Sequence, residues 1–439
     1  MKGFAWSFIA LSLCHSIVET RGEGIYRKGA SARSMALGGT DVASPEGPLD
    51  AIFSNPAGLS LIASPTLQLG VSGAFAQGEF SNSVNNGRGI DEQFQLVPQA
   101  AFGMNFGKAS LTLGVVPETA LEADWVYNDA PGVAGATYGE QRHRSSFLGL
   151  KASVAGSVEF CEAFSVGASF GALYNRNELE VPYVFQSHPA LAGLKTLLDL
   201  ETEGWGYGGS LGMLIRPLEA VQIGFSYQLR TSVRSEGDAN GNIGAQLQAL
   251  GGAAAGFRPD FHYDAEVDTA FPQIVKGGIA WTIHPQLRSQ FQVEWVNWSD
   301  SFDDLPVHLT GGNNTDINGF LGRDGIEDNV PLNWKDRMVY RAGLEYSVCE
   351  GFDLRAGYAY GKSPVPDETL TPLTAVITEH TISGGFGVKW SRYAVDFAYQ
   401  YELPEERTVG NSGLRSGEYS NSRTEIGIHW VGLTTTVRF

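Results

Sequence analysis

Reactive chemistry finds little purchase in this chain, because its candidate residues are scattered. The eight histidines, His15, His143, His188, His262, His284, His308, His380 and His429, show no HxxxH or HExxH spacing, so a zinc centre has no ligand set to build on. A Ser/His esterase mounted in a barrel wall needs a serine beside a histidine and an orienting acid or amide. His380 and His429 could serve by position, yet no serine context singles itself out. Asn314-x-Asp316-x-Asn318-Gly319 imitates the first half of a calcium loop, but Gly325 stands where the bidentate glutamate belongs. Gly38-Gly39 lacks the strand, lysine and hydroxyl of a phosphate loop. The expectation is no enzyme, no metal and no cofactor.

Three other groups carry recognition rather than reaction. Asn55-Pro56-Ala57-Gly58 sets a rigid proline after a side-chain amide that can bond nearby backbone. If Met338, Tyr340, Ala342, Leu344 and Tyr346 face outward, Arg337, Arg341 and Glu345 face inward, with Asp353 and Arg355 beside them on the next strand. Arg341 or Arg355 could then fork onto a ligand carboxylate, or both could be absorbed in an ion-pair ladder with Glu345, Asp353 and an inner plug. After His188-Pro189, the recurrence of Leu191, Leu194, Leu197 and Leu198 at helical spacing predicts a helix. Such a helix either caps its own loop or offers a hydrophobic ligand a landing surface.

The elements that must position these residues are strands. Apolar side chains alternate with small or polar ones in Val221–Leu229, Phe352–Tyr360, Tyr393–Tyr401 and Val431–Phe439. Such segments recur from about residue 65 onward. Tight turns and long polar connections join them by turns, predicting an all-β fold: a transmembrane antiparallel barrel of about 14 strands. Only helices and closed barrels satisfy every backbone polar group in lipid. The long connections fall at roughly 78–91, 118–142, 175–202, 231–270, 299–334, 362–379 and 402–422. An even strand count puts both termini on the short-turn side, the periplasm in bacterial outer membranes. Trp295, Trp298, Trp334, Trp390, Tyr401 and Trp430 near strand ends suit interfacial girdles.

Composition agrees. A net charge of −18 argues against nucleic acid, which needs a basic stripe. Residues 1–22, with Lys2 before an apolar run, read as an export signal; 23–64, rich in Gly, Pro, Ala and Ser, as a hatch; and 65–439 as the barrel. Cys14 would leave with the signal. Cys161 and Cys349 sit in separate turns and should remain free thiols.

Gly38-Gly39-Thr40-Asp41-Val42-Ala43 and Ala51-Ile52-Phe53-Ser54-Asn55-Pro56-Ala57-Gly58-Leu59 resemble the plug of FadL/TodX-type outer-membrane transporters. The resemblance continues in Trp334-Lys335-Asp336, Leu354–Tyr360 with Ser363-Pro364-Val365-Pro366 after it, Ile382–Gly387 and Asp396–Tyr401. It spans nearly the whole mature chain and implies passive uptake of hydrophobic molecules such as long-chain fatty acids or hydrocarbons. It further implies capture by extracellular loops, a lumenal site near the hatch, and release sideways through the wall. The partners expected are those molecules, outer-membrane lipid and lipopolysaccharide, and the barrel assembly machinery, around a monomer. The alternative is a porin-like channel or an adhesin for non-lipid ligands.

Overall fold

The computed structural model describes residues 25–91, 94–251, 256–415 and 417–439; the expected export signal and Cys14 lie outside them. The wall is a closed antiparallel barrel of 14 strands. In chain order these are Thr66–Ser81, Gln95–Asn105, Ala109–Asn128, Glu140–Cys161, Phe164–Val184, Lys195–Leu218, Val221–Gln228, Ile274–His284, Leu287–Val296, Arg337–Cys349, Phe352–Gly361, His380–Trp390, Tyr393–Val409 and Ser422–Arg438. Closure runs from Thr66↔Arg438 to Ser81↔Arg423, so neither strand is left as an edge. Alternation sorts the faces: Met338, Tyr340, Leu344 and Leu354 are exposed, whereas Arg341, Glu345, Asp353 and Arg355 are buried inside.

Several strands run well past their expected ends. Glu178 and Glu180 on Phe164–Val184, and Asp199, Glu201 and Glu203 on Lys195–Leu218, continue the ladder beyond the apolar band. There the outward side chains simply change from greasy to acidic. Residues 231–270, expected as a connection, contain two strands, Thr231–Asn242 and Asp260–Phe271. Residues 299–334 contain two more, Asp304–Thr310 and Ile326–Pro331. These four extend the outer half of Lys195–Leu218 into a roof sheet. Its inward side packs Leu198, Leu200, Ala239, Phe261, Val267 and Leu309 together; Asp199, Glu201, Glu236, Asp238 and Asp264 point out.

The helix expected around Leu191–Leu198 does not form. His188–Ala192 make a turn, and a strand begins at Lys195. Thr196, Leu198, Leu200 and Thr202 are buried and Asp199, Glu201 and Glu203 exposed. A period of two therefore competes with the leucine spacing, and the neighbouring ladders favour it. The girdle expectation also needs correction. Trp390 is half exposed, but Trp298 and Trp334 are buried in the interior, and Trp430 turns inward to donate to Glu402 at 2.8 Å. Cys161 and Cys349 are free and exposed.

Inside the barrel lies the leading segment. Helix α1 (Ala32–Ala36) packs on the strands from Phe352 to Arg438, and α2 (Pro48–Phe53) on those from Thr66 to Cys161. A 3-10 turn, Pro56–Leu61, packs on the strands between Ala109 and Leu218. Contact on all sides leaves it nowhere to be but the lumen. Wall glycines admit it this closely: a Cβ on Gly357 would fall 2.2 Å from Gly38 N, and one on Gly343 2.8 Å from Leu37 O. Gly357→Ala should therefore dislodge the segment without stopping barrel closure. Heat-modifiable electrophoretic migration should stay normal while trypsin gains the buried Arg33.

Candidate functional site

Asn55-Pro56-Ala57-Gly58 is a three-way joint. The Asn55 Oδ1 accepts from Ala57 N at 3.1 Å, capping the 3-10 turn that Pro56 opens. Its Nδ2 donates to Val42 O at 2.7 Å and to Met213 O of the wall at 3.1 Å. Ala57 is fully buried. A Cβ on Gly58 would lie 2.0 Å from Pro45 Cγ, so only glycine lets the two loops touch. Elsewhere Gln292 grips the segment, accepting from Val42 N at 2.9 Å and Asp41 N at 3.1 Å.

Charge completes the seat. Arg33 meets Glu345 at 2.9 Å, and Lys28 meets Glu402 at 2.9 Å. Arg341 donates to Glu294 at 3.0 Å and to Gly38 O at 3.1 Å. Arg355 meets Glu345 at 2.6 Å and Asp396 at 2.7 Å. Removing one member of such a buried pair costs about 3–5 kcal/mol. Arg341 and Arg355 are thus brought together with the inner segment and with wall carboxylates, and neither lines the apolar cavity described next.

Between the inner segment and the roof lies a cavity of about 260 Å³. Its walls are Leu121, Phe147, Val181, Tyr183, Leu198 and Leu200, with Phe261, Val267, Phe302, Leu332 and Trp334 opposite. Phe302 stacks on Trp334 with centroids 4.7 Å apart, and Phe147 on Phe271 at 5.4 Å. Of the four expected leucines only Leu198 lines the cavity. Leu191 is buried in the apolar cluster behind it, Leu194 packs against that cluster, and Leu197 takes the other face of the strand. The aromatic lining was invisible in sequence, because its members come from connections and strand ends far apart.

The lining's charged groups are all acidic. Asp328 accepts from Tyr183 Oη at 2.6 Å, Ser187 N at 2.6 Å and Gln186 N at 2.8 Å. Burial alone would raise it; these bonds hold it below the usual carboxylate range. Glu418 is pushed up to about 7, chiefly by burial, with Lys195 pulling it down and Asp129 pushing it up. Glu178 is paired with Arg144 at 2.8 Å and Arg176 at 2.9 Å.

The wall has a seam. Gln95–Asn105 pairs with Ala109–Asn128 only from Asn105↔Ser110 to Ala100↔Val115, although its other side stays paired up to Ala74↔Gln95. Pro98 lies in the unpaired half, and Pro117 at a register shift on the facing strand; neither can donate to a ladder. A recess of about 600 Å³ opens there, lined by Leu69, Leu96, Pro98, Val115, Leu121 and Phe147. Leu121, Ser146 and Phe147 line both recess and cavity. Pro98, inside a predicted strand, was the one sequence signal for this feature.

Among metal candidates, Asn314 Oδ1 caps helix Thr315–Leu321 instead of facing a calcium site. Cross-strand register in the roof brings Asp238, His262 and Asp264 together, and likewise Glu266, Asp268 and His308. Arg234 already meets Glu266 at 3.2 Å and Asp268 at 3.0 Å.

The chain matches the family model "Outer membrane protein transport protein (OMPP1/FadL/TodX)" over residues 13–439. No curated protein matches it in sequence. Among solved structures it is similar to the Pseudomonas putida toluene transporter TodX, at 18% identity and TM-score 0.76, covering 95% of this chain and 100% of that one. A Pseudomonas aeruginosa FadL homologue gives 16% and 0.75, with 95% and 100% covered. The Ralstonia pickettii toluene transporter TbuX gives 20% and 0.71, with 94% and 99% covered. At these identities the structures speak for the barrel and its inner segment; the family match adds membership. An inward-seated segment, a closed lipid-facing wall and that match make the chain a member of the FadL/TodX family of outer-membrane transport proteins.

Proposed function

We propose that the protein takes up neutral hydrophobic molecules by diffusion, from an apolar cavity under the roof to a sideways exit at the seam. The inner segment serves as the hatch, and the long connections face outward. The observation that carries this reading is the shared lining of Leu121 and Phe147, with Ser146 beside them, which sets two large apolar side chains at the boundary of cavity and recess. Sideways release delivers a greasy molecule to lipid without passing it through water.

Neutral cargo is favoured over fatty-acid anions by energetics. A ring burying about 200 Å² gains about 5 kcal/mol at about 25 cal/mol per Å². An unpaired carboxylate loses more than that on leaving water, and the charged side chains turned to this cavity are the acids Asp328 and Glu418, with no cation among the described residues of its lining. The volume exceeds the roughly 150 Å³ that holds benzene in an engineered cavity. This narrows the substrate class expected from sequence, and agrees with the similarity to the toluene transporters TodX and TbuX.

The test is uptake of radiolabelled naphthalene and oleate by cells carrying the protein in their outer membrane. Naphthalene should enter at least tenfold faster than in cells without it, and oleate should compete weakly. Leu121→Trp should fill the passage and cut naphthalene uptake at least fivefold with normal membrane insertion. Equal uptake by that variant would remove the sideways route. Asn55→Ala should impair uptake several-fold while insertion stays intact; unchanged transport would detach the joint from gating.

Glu418 makes its part of the cavity wall sensitive to pH. Its folded pKa lies above the unfolded value, so between about 4.5 and about 7 the folded state binds more protons. Stability conferred by this group is then full at the acid end and declines as pH rises. Amide exchange over 417–421, corrected for intrinsic rates, should be slower at pH 5 than at pH 8, and Glu418→Gln should flatten the difference.

A further inference from the structure

One side chain of the inner segment spans the seam. Arg27 is only 5% exposed. Its guanidinium donates to Ser72 Oγ at 2.6 Å, Gln99 Oε1 at 3.0 Å and Pro117 O at 3.4 Å. Its backbone N–H donates to Glu118 O at 3.3 Å. Those acceptors belong to Gln95–Asn105 and Ala109–Asn128, which border the seam, and to Thr66–Ser81, the strand paired behind Gln95–Asn105. Gln99 also donates to Ala30 O, tying the same place to the segment a second time. Just before it, Tyr26 forms an antiparallel bridge to Thr119. Arg27 thus answers, from the lumen, the main-chain carbonyls of Pro117 and Glu118 on one side of the seam and the Gln99 side chain on the other.

The chemistry of this contact differs from that of its neighbours. Lys28 and Arg33 are committed to the carboxylates of Glu402 and Glu345. The acceptors of Arg27 in the seam are uncharged: a hydroxyl, an amide and a peptide carbonyl. Behind it lies a small polar recess lined by Asp41, Glu118 and Glu294 and also by Lys276 and Arg341, where Glu118 is already paired with Lys151 and Glu294 with Arg341. The bonds of Arg27 end on neutral acceptors, so displacing them strands no buried carboxylate, unlike breaking the ion pairs at Lys28 and Arg33. A push to displace them has a source, since Ile25 lines the apolar cavity and Tyr26 packs on Trp298 with centroids 5.5 Å apart.

We propose that Arg27 is the latch of the sideways exit, a positioning residue that holds the seam shut until a molecule seated against Ile25 displaces residues 25–27. This inference rests on the reading of the seam as the exit, and adds the residue that governs it. A disulfide can test it, because Tyr26 and Thr119 lie directly opposite each other across an antiparallel bridge. The background is Cys161→Ser with Cys349→Ser, which removes the two exposed thiols.

In that background the oxidised Tyr26→Cys, Thr119→Cys pair should still bind naphthalene, read by tryptophan fluorescence, yet take it up at least fivefold more slowly, with reductant restoring the rate. Arg27→Met, checked for insertion by heat-modifiable migration, should take up naphthalene at least threefold faster than the parent. It should also let Val97→Cys, buried in the recess lining, react faster with a membrane-permeant thiol reagent, a change that mere loss of stability elsewhere would not confine to the seam. Arg27→Lys should fall between. Uptake unaffected by oxidation, or an inserted Arg27→Met slower than the parent, would overturn the latch. If Leu121→Trp still blocks uptake in either event, the exit stands and only the latch falls; if it does not, the exit falls too.

Discussion

At membrane depth every peptide group needs a partner, and a closed ladder provides one for each strand except along one half of Gln95–Asn105. The rest of the molecule is arranged around that exception. Pro98 and Pro117 reduce the number of orphaned donors at the seam, Arg27 answers acceptors on both of its sides, and Ile90↔Trp125 bridges its upper end. What is lost is a run of strong mutual bonds. What replaces it is a few bonds made by a separate body, and these can be withdrawn without unravelling the wall.

That separate body is held firmly elsewhere. Glycines bring α1 against the wall until backbone nearly touches backbone at Gly357. Buried ion pairs then fix the orientation, with Arg33 and Arg355 sharing Glu345. Each pair costs much to break and little to keep once satisfied. The grip is therefore uneven: ionic and tight at Lys28 and Arg33, neutral and weaker at Arg27. Movement confined to residues 25–27 leaves the tight part in place.

The wall was legible in sequence because alternation survives wherever one face meets lipid, as in Phe352–Gly361, whose pattern matches the observed faces. The joint at Asn55 was legible because a capping amide before proline has few other uses. Strand ends were not, since hydrogen bonding continues past the lipid while the outward residues turn acidic, as at Glu201 and Glu203. The leucines near 191–198 misled because two periods coexist there, and only the neighbouring strands decide between them. Trp298 and Trp334 misled for a related reason: a ring near a strand end can turn to either side, and the side depends on what fills the lumen. The seam was hidden because a missing ladder is a property of two segments jointly.

The amide of Ala32 donates to the Thr434 hydroxyl across 402 positions of chain, and Lys28 reaches Glu402. Contacts of such separation are slow to find, because the loop they close must be ordered before it is rewarded. A cylinder shut around a vacant interior would take from Glu402 the charge of Lys28 and leave Glu345 with Arg355 alone. The seating of the inner segment is thus tied to the last two strands of the wall, Tyr393–Val409 and Ser422–Arg438, whose Glu402 and Thr434 it holds.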